Sequence, residues 1–176
     1  MSRFYSGRGD DGRTQLLGPE RVPKYDPRPE AYGAVDEAQA VMGLARALGC
    51  SPAADEALRT AQRDLSALMA ELAAAGQGDS PFTGRIGPEQ VAWLEAQIAA
   101  LEAGLEMPKR FVVPGDSRVG AALHLARTVV RRAERRAVRL ADEGLLTNRQ
   151  VLVYLNRLSS LLFVLALVED RAAENR

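Results

Sequence analysis

The sequence is short of the residues that most catalytic chemistry uses. Among 176 residues there is one cysteine, Cys50, and one histidine, His124. A single thiol excludes an internal disulfide and a cysteine-based zinc site. A single imidazole excludes a multi-histidine metal site and argues against a histidine-based triad. Aromatics make up only 5% of the chain, and β-branched residues are sparse, which disfavours sheet. Net charge is absent too: 23 Lys and Arg balance 23 Asp and Glu. No global basic field therefore advertises nucleic acid. The opening residues lack the apolar stretch of a signal peptide. The most apolar run, Val151 to Val168, carries Asn156, Arg157, Ser159 and Ser160 near its middle. It reads as a buried bundle helix instead of a membrane span. A cytoplasmic protein is expected, with neither membrane nor nucleic acid as a partner.

What the chain has in quantity is Ala, Leu, Glu and Arg, which favour helix. Residues 1–29 are polar and rich in Gly, Pro and Arg, with no helical periodicity. Pro23, Pro27 and Pro29 predict an extended path over residues 22–29. Helical character is expected from near Glu30 to Leu48, where Ala34, Val35, Ala38, Val41, Met42 and Ala45 form an apolar stripe. Further helices are expected over about 52–75, 88–105, 117–142 and 147–172, with Ser51, Ser117 or Asp116, and Thr147 as caps. No strand is predicted. The fold class is all-α: a five-helix bundle of the up-down type over residues 30–176, preceded by an extended Gly-rich segment over residues 1–29.

Three stretches carry polar groups suited to chemistry. In Ser6-Gly-Arg-Gly-Asp-Asp-Gly-Arg-Thr14, three glycines free the backbone to curl its N–H groups inward as an anion nest. Ser6 and Thr14 add hydroxyls, Arg8, Arg13 and Lys24 add positive charge, and Asp10 or Asp11 suits a magnesium ion beside phosphate oxygens. The ending of a Walker A loop is missing, and a polar terminal tail is the alternative. The second stretch, Arg127 to Arg139, holds six arginines and one glutamate. Arg127, Arg131, Glu134 and Arg135 share one helical face, with Arg132, Arg136 and Arg139 on the adjacent stripe. Either this is a solvated basic face, or its guanidinium forks bind phosphate. The third is Asn156, within an apolar helix, which either ties a helix crossing or reads a ligand edge. Phe111 reads as a loop residue plugging the bundle end, and His124 as a hydrogen-bonded core histidine. Asp36, among small apolar residues, invites an arginine partner.

Together these segments resemble the PduO-type ATP:corrinoid (cob(I)alamin) adenosyltransferases. The resemblance rests on three ordered blocks. Residues 6–14, with Arg21-Val-Pro-Lys24 and Arg28-Pro-Glu-Ala-Tyr-Gly-Ala-Val-Asp-Glu37, form the first. Phe111-Val-Val-Pro-Gly115, with Leu123-His-Leu-Ala-Arg-Thr-Val-Val-Arg-Arg-Ala-Glu-Arg135, forms the second, and Tyr154-Leu-Asn-Arg-Leu-Ser-Ser-Leu-Leu-Phe163 the third. The resemblance implies a homotrimer of five-helix bundles with active sites between subunits. It implies that Ser6, Gly7, Arg8, Gly9, Asp10, Gly12, Thr14 and Lys24 bind ATP with Arg131, Glu134, Arg135 and Asn156. Arg127 would pair with Asp36 across the subunit boundary, and Phe111 and Phe163 would meet the corrinoid. Arg131, Phe111, Arg127 and Asp36 are the residues it implies for catalysis. ATP, magnesium and cobalamin are the implied ligands, and a corrinoid reductase and a B12-dependent mutase the implied partners.

The implied reaction accounts for the missing nucleophiles. The cobalt of the corrinoid, in its +1 state, attacks the 5′ carbon of ATP and expels triphosphate, so the protein supplies alignment and charge stabilisation. Five positions depart from the family's pattern: Ser6 for threonine, Ala38-Gln39-Ala40 for Leu-Asn-Ser, and Asp116 for a small residue. A non-catalytic ATP- or tetrapyrrole-binding helical oligomer is the alternative function.

Overall fold

The computed structural model describes residues 6–76, 80–106 and 108–174. Residues 1–5, and the 77–79 part of the break expected after the second helix, lie outside the described residues. The elements run β1 (Arg13–Gln15), β2 (Arg21–Pro23), α1 (Pro27–Ala47), α2 (Pro52–Ala73), α3 (Pro88–Glu102), α4 (Arg118–Asp142) and α5 (Gln150–Glu174). Five helices match the expected bundle. The expectation of no strand is corrected: β1 and β2 pair antiparallel, with Thr14 opposite Val22. Three residues per strand are too few to register as an alternating pattern, yet Leu16 and Val22 are buried and dock the hairpin.

Two helix starts also differ from expectation. Helix α1 begins at Pro27, inside the stretch expected to be extended. The first turn of a helix has no use for its N–H groups, so Pro27 and Pro29 fit there. Asp26 caps this end by accepting from Arg28 N at 3.0 Å. Helix α5 begins at Gln150, and Asn148 Oδ1, not Thr147, accepts from its first N–H at 3.0 Å. Asn148 is held there because its Nδ2 donates to Glu71 Oε1 and to Ile86 O, both at 2.8 Å. Buried Glu71 also accepts from Gly84 N and Arg85 N, which fixes the turn before α3. A caps-by-spacing argument cannot see such a distant partner.

Helix α4 packs against both α1 and α5, with α2 on the outer side of α1 and α3 on α5. The buried faces of α1 and α4 are rich in alanine, including Ala31, Ala34, Ala38, Ala126, Ala133 and Ala137, which lets the two helices approach closely. Helix α5 is long and apolar enough to cross a membrane, but here Val151, Tyr154, Leu155, Leu158 and Leu162 are fully buried in the core. At the start of α4 the approach to α5 is closest: a Cβ on Gly120 would overlap Asp170 Oδ1. Asp170 is buried and accepts from Ser117 Oγ at 2.7 Å, and Ser117 Oγ accepts from Gly120 N at 2.8 Å. Gly120→Ala is therefore expected to cost about 2 kcal/mol by overpacking. A thermal melt would register this as a lowered Tm, and an unchanged Tm would contradict the close approach.

Candidate active site

The N-terminal segment is an ordered turn. Gly7 and Gly12 adopt φ of 72° and 77°, a region costly for any residue with a Cβ. Asp11 closes the turn by accepting from Arg13 N at 3.0 Å and from Arg21 Nη2 at 2.9 Å. Arg21 also donates to Arg8 O at 2.7 Å, and Arg13 Nη2 to Arg21 O at 2.7 Å. Lys24 N donates to Gly12 O, and the Lys24 ammonium lies over Gly9, 3.3 Å from where a Cβ would sit. The result is a cleft of about 540 Å³ lined by Ser6, Arg8, Gly9, Arg13, Thr14, Gln15, Arg21 and Lys24. Four cations and the glycine backbone face it.

This geometry decides between the two aspartates. The Arg13 N–H, followed by the Arg21 guanidinium, holds the Asp11 carboxyl below its ordinary range. Asp11 is thus committed to the turn. Asp10 enters no ion pair among the described residues. No group of three or more metal-ligating side chains gathers among the described residues. A metal here would need phosphate oxygens for most of its shell.

The arginines of α4 separate into two sets. Arg132 pairs with Glu37 of α1, and Arg136 with Glu30 at 2.8 Å while donating to Glu30 O at 2.7 Å. Arg139 pairs with Glu143 at 2.7 Å. On the neighbouring face Arg127, Arg131 and Arg135 have no carboxylate partner among the described residues. Arg131 and Arg135 are exposed. The Nε of half-buried Arg127 has no hydrogen-bond partner among the described residues. Glu134, between them, is engaged elsewhere: Asn156 Nδ2 donates to it at 2.9 Å. Asn156 Oδ1 accepts from Arg157, which also pairs with Glu95 of α3. Asn156 therefore does tie the α4–α5 crossing.

A third region lies under the connector between α3 and α4. A cavity of about 470 Å³ is lined by residues 108–112 together with His124, Arg127 and Phe163. The Arg127 guanidinium sits over the Phe163 ring at 5.9 Å, in cation–π range. Two sequence expectations are corrected here. Phe111 does not plug the bundle end; it is 101% exposed at the cavity mouth. His124 is buried, and neither ring nitrogen has a hydrogen-bond partner among the described residues. Asp116 is exposed and lines a separate concavity on the other side of Phe111.

Within one chain Arg127 belongs both to the arginine face and to the cavity under the connector. No hydrogen bond or ion pair among the described residues joins the N-terminal cleft to Arg131, Arg135 or Asn156. Asp36, also exposed, makes none with Arg127. Sequence reasoning missed Arg28, the residue that seats the cleft. It is buried and bonds Asp26, both Glu20 carboxylate oxygens at 2.9 and 3.0 Å, and Ala75 O at the end of α2. The Asp26 carboxylate, and then Glu20, raise its pKa further. An arginine two residues beyond a capping aspartate was the available signal. Because the Asp11 pKa is depressed in the fold, the order it gives the turn is present above the unfolded value and lost as pH falls through the folded one. Arg21→Ala is expected to move that loss to higher pH. Carboxyl-detected NMR titration of Asp11 would measure it, and an unmoved midpoint would contradict the pairing.

The family of cobalamin adenosyltransferases matches residues 4–169. The corrinoid adenosyltransferase PduO of Salmonella typhimurium is 43% identical over 97% of this chain, which spans 50% of that protein. The corrinoid adenosyltransferase of Mycobacterium tuberculosis is also 43% identical, over 97% of this chain and 90% of its own length. A variant PduO-type ATP:corrinoid adenosyltransferase from Lactobacillus reuteri, complexed with cobalamin and ATP, is similar in structure, with a TM-score of 0.88. It is 30% identical, and the match covers 98% of this chain and 96% of that one. The chain thus spans about half of the Salmonella relative and nearly all of the other two. With the match running from the glycine turn through the arginine face and into α5, this chain belongs to the cobalamin adenosyltransferase family.

Proposed function

We propose that this protein transfers the 5′-deoxyadenosyl group of ATP to the cobalt of a reduced corrinoid, releasing triphosphate. The observation that carries the reading is the set Arg127, Arg131 and Arg135, without a carboxylate partner among the described residues, on the same helix where Arg132, Arg136 and Arg139 are neutralised. Three guanidinium groups kept free of carboxylates on one face suit a multiply charged anion. The N-terminal cleft adds Arg8, Arg13, Lys24 and the glycine backbone.

In this reading the substrate cobalt, in its +1 state, donates an electron pair to the 5′ carbon of ATP. The C5′–O bond breaks and its electrons leave with the triphosphate. No protein nucleophile takes part, in keeping with one cysteine and one histidine in the chain. The residues instead hold two large reactants in line and stabilise charge gathering on the leaving group. Ser6, Gly7, Arg8, Gly9, Asp10, Gly12, Thr14 and Lys24 serve the triphosphate from the segment 1–29. Arg131, Glu134, Arg135 and Asn156 serve the nucleotide from the bundle. A bound magnesium ion would add positive charge beside Asp10. Phe111 and Phe163 bound the corrinoid, whose cobalt an apolar ring shields from water and axial donors.

The separation of the cleft from the arginine face within one chain supports a homotrimer with sites between subunits. In it Asp36 of one copy meets Arg127 of the next, which would satisfy both. A corrinoid reductase supplying the +1 state, and a B12-dependent mutase using the product, fit a cytoplasmic setting. Anaerobic mixing with ATP and a chemically reduced corrinoid should yield a light-sensitive adenosylated product; binding of both ligands without product would refute transferase activity. Arg131→Ala should lower turnover by roughly two orders of magnitude or more. Arg136→Ala should leave turnover near normal and cost at most about 1 kcal/mol of stability, as its exposed pair suggests. Equal losses would contradict the two-face division. Phe111→Ala should slow adenosylation and leave ATP affinity unchanged.

A further inference from the structure

His124 is a buried titratable side chain of the cavity whose chemistry the proposed reaction leaves unused. It is 3% exposed, and neither Nδ1 nor Nε2 has a hydrogen-bond partner among the described residues. Its ring meets Phe163 edge-on at 5.8 Å and lines the same cavity as Phe111, Phe163 and Arg127. A buried imidazole with both nitrogens unsatisfied carries a desolvation cost that a structure retains only where a partner arrives. The Nε of Arg127, one helical turn along, is unpartnered as well. The functional reading gives Arg127 an acid of the neighbouring copy, so the imidazole is the polar group left orphaned on this cavity wall, and it points to a ligand with polar groups at its edge.

We propose that His124 is a positioning and specificity residue that hydrogen-bonds the carboxamide side chains on the rim of the corrinoid. This rests on the functional reading above, in which the cavity receives that ring. Burial pushes the imidazole pKa down; the Asp170 carboxylate of α5 opposes this only in part, Arg127 adds to the lowering, and Asp116 of the connector opposes it least. Lys109 and Arg110 of the connector also line the cavity and add positive charge. The ring is therefore neutral, with one N–H donor and one acceptor nitrogen. A primary carboxamide offers the matching acceptor and donor. A carboxylate offers only acceptors, and it would leave the unprotonated nitrogen facing a second lone pair. His124 thus selects an amidated corrin rim over one bearing free acids, while Arg127 remains available for its charged partner.

The test uses the fact that His124 is the only histidine, so every imidazole signal in a histidine-labelled sample belongs to it. Adding hydroxocobalamin to the ATP-loaded protein should shift its ring-nitrogen resonances, and ATP alone should not. His124→Phe should raise the KM for the corrinoid about tenfold with the KM for ATP unchanged. His124→Gln, which keeps a donor and an acceptor, should recover most of that loss. A corrinoid with a rim amide hydrolysed to the acid should be a poorer substrate for the wild type and lose that handicap in His124→Phe. If the corrinoid binds and the imidazole signals stay put, or if the glutamine variant is as impaired as the phenylalanine one, the proposal is wrong while the cavity assignment stands. Failure of the wild-type protein to bind any corrinoid would instead overturn the cavity assignment, and this proposal with it.

Discussion

Helix α4 is constrained on three sides, and the rest of the molecule follows from how that constraint is met. Its alanine- and leucine-rich face must be buried between α1 and α5, which forces its arginines onto the two flanks. On one flank α1 supplies Glu37 and Glu30, and Arg132 and Arg136 are consumed as latches. The opposite flank meets α5, whose polar residues at that level are Asn156 and Arg157. Asn156 occupies Glu134 and so removes the one nearby acid that would otherwise neutralise Arg131 or Arg135. Structural pairing on one side and withheld pairing on the other leave one flank of a basic helix without counter-charge among the described residues.

The N-terminal segment follows the same logic on a smaller scale. Its positive φ angles at Gly7 and Gly12 bend the backbone inward, but curvature alone would leave a mobile tail. Order comes from Arg21 and Arg13 spending their donors on backbone carbonyls and on Asp11. Arg28 then seats the hairpin on α1 and α2 through Glu20 and Ala75. Because Arg28 is almost fully buried and its two acids flank it, its charge is compensated where it sits, and each of its bonds is correspondingly expensive to break. Three arginines are used as scaffolding so that Arg8, Lys24 and the glycine N–H groups can face the cleft.

The five helices were legible because each apolar stripe recurs with helical period and each is punctuated by Pro, Ser or Gly. The hairpin was not, since three-residue strands leave no pattern to read. Helix α1 began earlier than its prolines suggested, because proline is compatible with a first turn. Among the site residues, the glycine turn and the two arginine stripes could be picked out by spacing. The fates of Asn156 and His124 could not. Sequence places both in apolar helices, and only packing shows that one is bonded to Glu134 while the other has no hydrogen-bond partner among the described residues.

Residue type and short-range spacing settled the helical class, the periodic division of α4 into two arginine faces, and the scarcity of cysteine and histidine. The chain carries both wherever it goes. The tertiary structure alone decided which arginines remain free, which aspartate is spent on Arg21, and what His124 faces. Those outcomes depend on partners tens of residues away, such as Glu30 for Arg136 and Glu134 for Asn156. Charge becomes a binding site only after the fold has allotted its counter-charges.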